Sequence, residues 1–295
     1  MKAPVKRVST PVLITAFLLL IVLLGGMVRA ATYHGNAVRL AFTPGPQAFG
    51  MARLAQSVSP QHSVTTYDEE ETVLRALQNH VADAALLGAE DALALPEDLY
   101  EIRGVFSVTD LLAVSDEETV LGMQSLSGRK LILPEVLRGS KEESMLLKLL
   151  KEADCAGYTL VYARDAWREY VEQADAVLML TLQQANDLLA AGRDFTARFR
   201  LSNQWRALFA SVPPADYCLV ARRDAMGTGT FAAFEKHVRD SMLYSDRKRK
   251  KTIAMAVEAG ILKNEQVADK LIDHMSFTYH EGEDALAAID AWRSL

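Results

Sequence analysis

Short apolar runs alternate with helix-period stretches along most of this chain. The runs fall at residues 38–42, 64–67, 84–87, 111–114, 130–133, 159–163, 177–180 and 218–221. Between them, residues 49–58, 69–80, 144–154, 166–173 and 183–191 place apolar side chains at three- and four-residue steps, the spacing of one helix face. Such alternation predicts an α/β fold of mostly parallel sheets flanked by helices. From residue 231 onward the pattern predicts helices alone.

Two segments share one layout. Residues 64–93 and 159–188 each run strand, acidic helix start, amphipathic helix, Ala-Asp-Ala, apolar strand and a second helix. Asp83 and Asp175 hold the same place in each. Any two strand–helix–strand units share the broad outline, but Ala-Asp-Ala ahead of four apolar residues is more specific. It predicts two similar lobes. Lobe one takes residues 35–114 and 215–295, and lobe two takes residues 115–214. The acidic stretch 117–127 is the expected crossing into lobe two. Residues 203–224, with Pro213 and Pro214, are the expected return. Two crossings make a two-strand hinge beside a cleft, with the C-terminal helices on lobe one.

Residues 1–31 have a different composition. Lys2, Lys6 and Arg7 precede an apolar run over residues 12–24, then Gly25, Gly26 and the small-residue ending Val28-Arg29-Ala30-Ala31. This is the layout of a secretory signal peptide cleaved after Ala30 or Ala31. The run is shorter than the roughly 20 residues of a spanning helix. Counted through Val28 it approaches that length, so an N-terminal membrane anchor over residues 12–28 is the second reading. Both place the working domain outside the cytoplasmic membrane, periplasmic or cell-surface. No cysteine stands near the cleavage site, which excludes a lipid anchor there.

The chain has 295 residues, half of them hydrophobic, and a formal net charge of −6. Its basic residues are scattered, which argues against nucleic acid. The two cysteines, Cys155 and Cys218, make no zinc spacing and no disulfide framework; a single bridge between them is open. The six histidines show no metal spacing. No nucleophile elbow, phosphate loop or dinucleotide fingerprint occurs, so neither a catalytic set nor a cofactor is expected. Residues 246–251, Asp-Arg-Lys-Arg-Lys-Lys, read as a solvated turn, with lipid headgroups or an acidic partner as the alternative.

Several stretches together resemble the extracytoplasmic substrate-binding proteins of ABC transporters, in the branch for sulfonates, nitrate, taurine and thiamine-precursor-like ligands. They are VRLAFTPGPQA from residue 38, the two Ala-Asp-Ala strands, SLSGRKLILPE from residue 125 and YCLVARRD from residue 217. SLSGRKL is the most specific, an altered form of the family's Ser-Leu-x-x-Leu-x-Gly-Lys-x-Ile. The resemblance implies the type 2 periplasmic-binding-protein fold, a ligand in the interlobe cleft, a membrane permease as partner and a monomeric, non-catalytic chain. Two places depart from the family. Gly88-Ala89-Glu90 stands where small hydroxyl residues or Pro-Thr are usual, and Thr181-Leu182-Gln183 where Pro-Glu-Pro is common. Ligand identity therefore does not carry over.

In parallel sheets, ligands bind beyond the carboxyl ends of strands, where helix N-termini offer free N–H groups. In lobe one this selects Thr43, Pro44, Gly45, Pro46 and Gln47, read either as cleft lining or as a rigid helix cap. Gly88, Ala89 and Glu90 follow a second strand. A carboxylate at Glu90 favours a cationic or amine-bearing ligand, or simply stabilises its own helix. In lobe two the matching positions are Pro134, Gly139, Ser140 and Lys141, then Thr181. Ser140 with Glu143 reads as a capping box. With Arg138 and Lys141 close by, the same turn reads as an anion site or as solvated charge. Trp205 and Tyr217 read as an aromatic wall or as core. The expected function is capture of a small polar solute by hinge closure, with an anion among the candidates. An enzyme on the same scaffold and an anchored sensor domain are the alternatives.

Overall fold

The computed structural model describes residues 37–107, 111–173, 175–274 and 278–295. The signal-or-anchor expectation for residues 1–31 lies outside them. No helix among the described residues is long and apolar enough to cross a membrane.

The chain builds two sheets in turn. Strand β1 (Val38–Phe42) leads through a 3-10 turn (Pro46–Met51) into α1 (Ala52–Gln56). Then follow β2 (His62–Thr66), α2 (Glu70–Gln78), β3 (Ala84–Gly88), α3 (Ala89–Ala94) and β4 (Tyr100–Ser107). The second sheet takes β5 (Leu111–Val114), β6 (Lys130–Pro134), α4 (Lys141–Glu152), β7 (Thr159–Ala163), α5 (Ala166–Val171), β8 (Val177–Thr181), α6 (Leu182–Ala190), β9 (Ala197–Arg200) and α7 (Leu201–Phe209). The chain returns with β10 (Tyr217–Arg222), α8 (Arg223–Met226), α9 (Gly229–Arg247), α10 (Arg249–Glu258), α11 (Glu265–Leu271), β11 (Thr278–His280) and α12 (Gly282–Arg293).

The first sheet has the order β11-β4-β10-β3-β1-β2 and the second β7-β6-β8-β5-β9. Setting β11 aside, the two orders correspond strand for strand. Each has parallel strands and one antiparallel insert, β10 in the first sheet and β5 in the second. The Ala-Asp-Ala echo is this symmetry, since β2–α2–β3 and β7–α5–β8 occupy equivalent places. Asp83 explains part of it. Its carboxylate accepts from Arg39 N–H at 3.0 Å and from the Arg39 guanidinium at 2.9 and 2.7 Å, pinning the start of β3 to β1. In lobe two the Asp175 carbonyl accepts from Arg129 at 3.3 Å instead. Both aspartates precede their strands, at the end away from the strand tips, so the repeated motif braces the sheets.

Helices form where a stripe and a favourable start coincide. Helix α2 buries Val73, Ala76 and Leu77, a three- and four-residue stripe, behind first-turn Glu70 and Glu71. Helix α4 starts at the Ser140 cap and buries Leu146, Leu149 and Leu150. Strands β3 and β8 are buried almost throughout, consistent with their unbroken apolar sequence.

Four expectations are corrected. β5 pairs with β8 and β9, so the crossing into lobe two is made before Leu111 and not over residues 117–127, and the boundary at 114/115 moves upstream. β4 and β9 are strands that the apolar pattern does not mark, because both carry charged residues. The C-terminal third is not all helix, because β11 adds a strand to the edge of β4. The C-terminal helices are not confined to lobe one: α9 and α10 pack against the 3-10 turn and α1, but α11 packs on α6 of lobe two. The two thiols are free, Cys155 after α4 and Cys218 inside β10, one on each lobe. Burial, with Asp216 adding to it, pushes the Cys218 thiol up to about 12.

Candidate functional site

Register brings the strand tips together. Leu40 lies beside Ala84, so the turn after β1 and Gly88 at the end of β3 share one edge of the first sheet. Ile132 lies beside Leu178, so Pro134 and Thr181 share one edge of the second. The inserted strands begin at these edges: Tyr217 of β10 pairs with Gly88, and Leu111 of β5 pairs with Thr181. The two crossings therefore lead into their strands at the strand tips. A small cavity of about 40 Å³ marks the junction, lined among others by Leu111, Lys141, Glu142, Asp216 and Trp292.

The residues selected from sequence lie at or just beyond these tips, but many of their polar groups are already used. The Gln47 amide nitrogen turns back on its own loop, 3.2 Å from Thr43 Oγ1 and 3.2 Å from the Pro44 carbonyl. The stiff Pro-Gly-Pro turn thus braces itself. Gly45 has φ +146°, a backbone conformation that side-chain-bearing residues rarely adopt, which explains the glycine. The Ala89 N–H donates to the Asp216 carbonyl at 2.9 Å. Glu90 is exposed in the first turn of α3. Ser140 Oγ accepts from Glu143 N–H at 3.2 Å, as a capping box requires, but the Glu143 carboxylate accepts from Gly139 N–H and the Tyr162 hydroxyl. Thr181 closes a full capping box with Gln184, at 2.9 and 3.2 Å.

The basic groups of the expected anion site are engaged elsewhere. Arg138 pairs with Glu135 at 3.0 Å and lies over the Tyr162 ring, 4.2 Å from its centroid. Lys141 lies over the Trp292 ring at 4.3 Å. Trp205 is core: it is buried, and its indole N–H donates to Ser211 Oγ at 3.0 Å.

Glu70 is a group that the sequence pattern does not single out. The first residue of α2, it accepts a hydrogen bond from Gly88 N–H. In the strand order β3-β1-β2, its side chain reaches from the end of β2 past β1 to the end of β3. Burial raises its carboxyl, the Gly88 N–H opposes that, and Asp91 adds to it. Tyr217, paired with Gly88, has its phenol raised by burial and by the charges of Glu70, Asp216 and Glu142. The acidic run at residues 68–71 is visible in the sequence, but only the strand order puts Glu70 beside Gly88. A second cavity, about 590 Å³ and lined by Tyr100, Arg103, Arg223, Glu235 and Glu281 among others, lies at the opposite end of β4 and β10, away from the tips.

No protein-family model matches the chain, and no curated protein does. Solved structures do. An ABC transporter protein from Parabacteroides distasonis superposes with a TM-score of 0.64 at 18% identity, covering 88% of this chain and 90% of that one. The periplasmic aliphatic sulphonate binding protein SsuA of Escherichia coli gives 0.60 at 16%, over 88% and 86%. A putative nitrate transport protein from Thermoplasma volcanium gives 0.53 at 11%, over 88% and 92%. This is the periplasmic binding protein fold. In a periplasmic binding protein fold built from these two sheets, Gly88, Thr181 and Tyr217 stand at strand ends beside the hinge, the kind of place where open α/β sheets hold ligands.

Proposed function

We propose that this chain is an extracytoplasmic solute-binding protein of an ABC importer, capturing a small polar ligand between its lobes by hinge closure. The observation that carries this reading is the pairing of Tyr217 with Gly88 and of Leu111 with Thr181, which starts both crossing strands at the strand tips. A ligand seated there touches both lobes only when they close, so its binding energy favours the closed form. The closed monomer then presents to a membrane permease. The structural neighbours are described as binding or transport proteins, which favours binding over catalysis. The basic start and apolar run of residues 1–31 support export. In this reading the turn from Thr43 to Gln47, with Gly88, Thr181 and Tyr217, lines the cleft.

Thermal-shift screening against small metabolites tests the proposal. A compound that raises Tm and is recovered unchanged supports capture. Conversion of the compound supports an enzyme on the same scaffold.

A further inference from the structure

The lobe-one tip already holds an internal carboxylate. Glu70 accepts the Gly88 N–H, and a Cβ on Gly88 would lie 2.9 Å from Glu70 Oε1 and 3.9 Å from Oε2. Gly88 is thus a cradle that a side chain would fill, and the Glu70 carboxylate sits in it. A donor that would otherwise meet a bound oxyanion is taken. Neighbouring donors are taken too: Ala89 N–H by the Asp216 carbonyl, Gly139 N–H by Glu143 and Thr181 N–H by Gln184. Arg138 and Lys141 face Glu135, Tyr162 and Trp292.

The junction beside these tips carries more carboxylates than cations: Glu142 and Asp216 line its cavity with Lys141, and Glu70 holds Gly88 N–H close by. Tyr217 pairs with Gly88, whose N–H Glu70 holds, and the charges of Glu70 and Glu142 both raise the Tyr217 phenol. A cation seated against Tyr217 would meet a carboxylate from each lobe, and a tyrosine face adds a cation–π contact. An oxyanion there would meet the same carboxylates, with the N–H groups of Gly88, Ala89, Gly139 and Thr181 already engaged.

We infer that Glu70 sets the charge of the solute, so that the cleft takes an amine-bearing, cationic ligand and refuses oxyanions. This rests on the solute-capture reading and sharpens it. An ammonium paired with Glu70 favours the ionised carboxylate and offsets its burial.

Isothermal titration calorimetry with two probe classes tests the inference. One is a panel of primary, quaternary and di-amines, and the other is nitrate, sulfate and short alkanesulfonates. The wild-type chain is expected to bind an amine and none of the anions. Glu70→Gln, which keeps the shape and can still accept the Gly88 N–H, is expected to weaken that amine at least about tenfold with Tm unchanged. Anion binding by the wild type, or equal amine affinity in Glu70→Gln, overturns the charge assignment and leaves solute capture standing. Silence from both classes overturns the charge assignment, while solute capture is judged by the broader thermal-shift screen, where a hit outside both classes keeps capture standing.

Discussion

The Lys141 ammonium sits 4.3 Å from the centroid of the Trp292 ring, joining the first turn of α4 in lobe two to the last turn of α12. Lys148, further along α4, donates to Ser294 Oγ at 2.8 Å. Ala291 and Leu295 pack against the lobe-two core. On the other side α11 packs on α6, and Lys270 pairs with Asp194. The C-terminal segment thus touches lobe two at two separate places.

Trp292→Ala should therefore loosen the lobes. A loss of about 1–2 kcal/mol is expected from the partly exposed ring and its cation contact. In a double-mutant cycle with Lys141→Ala, the coupling should be about 0.5–1 kcal/mol. Chemical denaturation of the four chains measures both. Strict additivity would show that the pair carries no energy.

Stability should fall on the acid side. Burial lowers the pKa of His62, opposed by the Leu54 carbonyl and helped by His237. Burial also lowers His274, with Arg200 assisting and Asp273 opposing. His280 is lowered by burial, against Asp284 and with Arg206. A histidine depressed in the fold binds fewer protons folded than unfolded. Its contribution is present above the unfolded value, about 6.5, and is lost as pH falls through the folded value. Tm should drop between neutral and mildly acidic pH, and His62→Asn should flatten that slope.

Asp83 should act in the same direction at lower pH. Burial pushes its carboxyl up, but the Arg39 hydrogen bonds and the charges of Arg39 and Arg222 outweigh it and hold it below the usual range. Its contribution is present above the unfolded value and lost as pH falls through the folded one. Asp83→Asn should cost about 2 kcal/mol at neutral pH, the range for a charged hydrogen-bonding group. The gap to wild type should shrink in acid. Urea midpoints at neutral and acidic pH check the sign.

Gly45→Ala should destabilise through the backbone. At φ +146° and ψ 177° a side chain is disfavoured by roughly 1–3 kcal/mol, while the flexible Gln47 amide it would meet can swing aside. Gly139 has φ +75°, near the left-handed region that other residues do visit, so Gly139→Ala should cost less. Equal losses in thermal melts would contradict the backbone origin of the Gly45 cost.

Buried strands such as β3 and β8 are legible in the sequence, because both faces demand apolar side chains. The Ala-Asp-Ala echo carries the two-lobed architecture for the same reason. The edge strands β9 and β11 are short and only partly buried, so they leave no apolar run to read. The strand-tip turns are legible from their prolines, glycines and caps. What their polar groups bond to is not, because Gly88 meets Glu70, and Lys141 meets Trp292, only through the order of the sheets and the return of the last helix.

Hinge closure is tested most directly by the distance between spin labels on the two lobes. Glu90→Cys and Val136→Cys, in a Cys155→Ser background, place labels on exposed positions of lobe one and lobe two. Pulsed electron resonance should show the distance distribution shorten and narrow when a solute binds. A distribution unchanged by a solute that calorimetry shows to be bound to the labelled chain would contradict capture between the lobes.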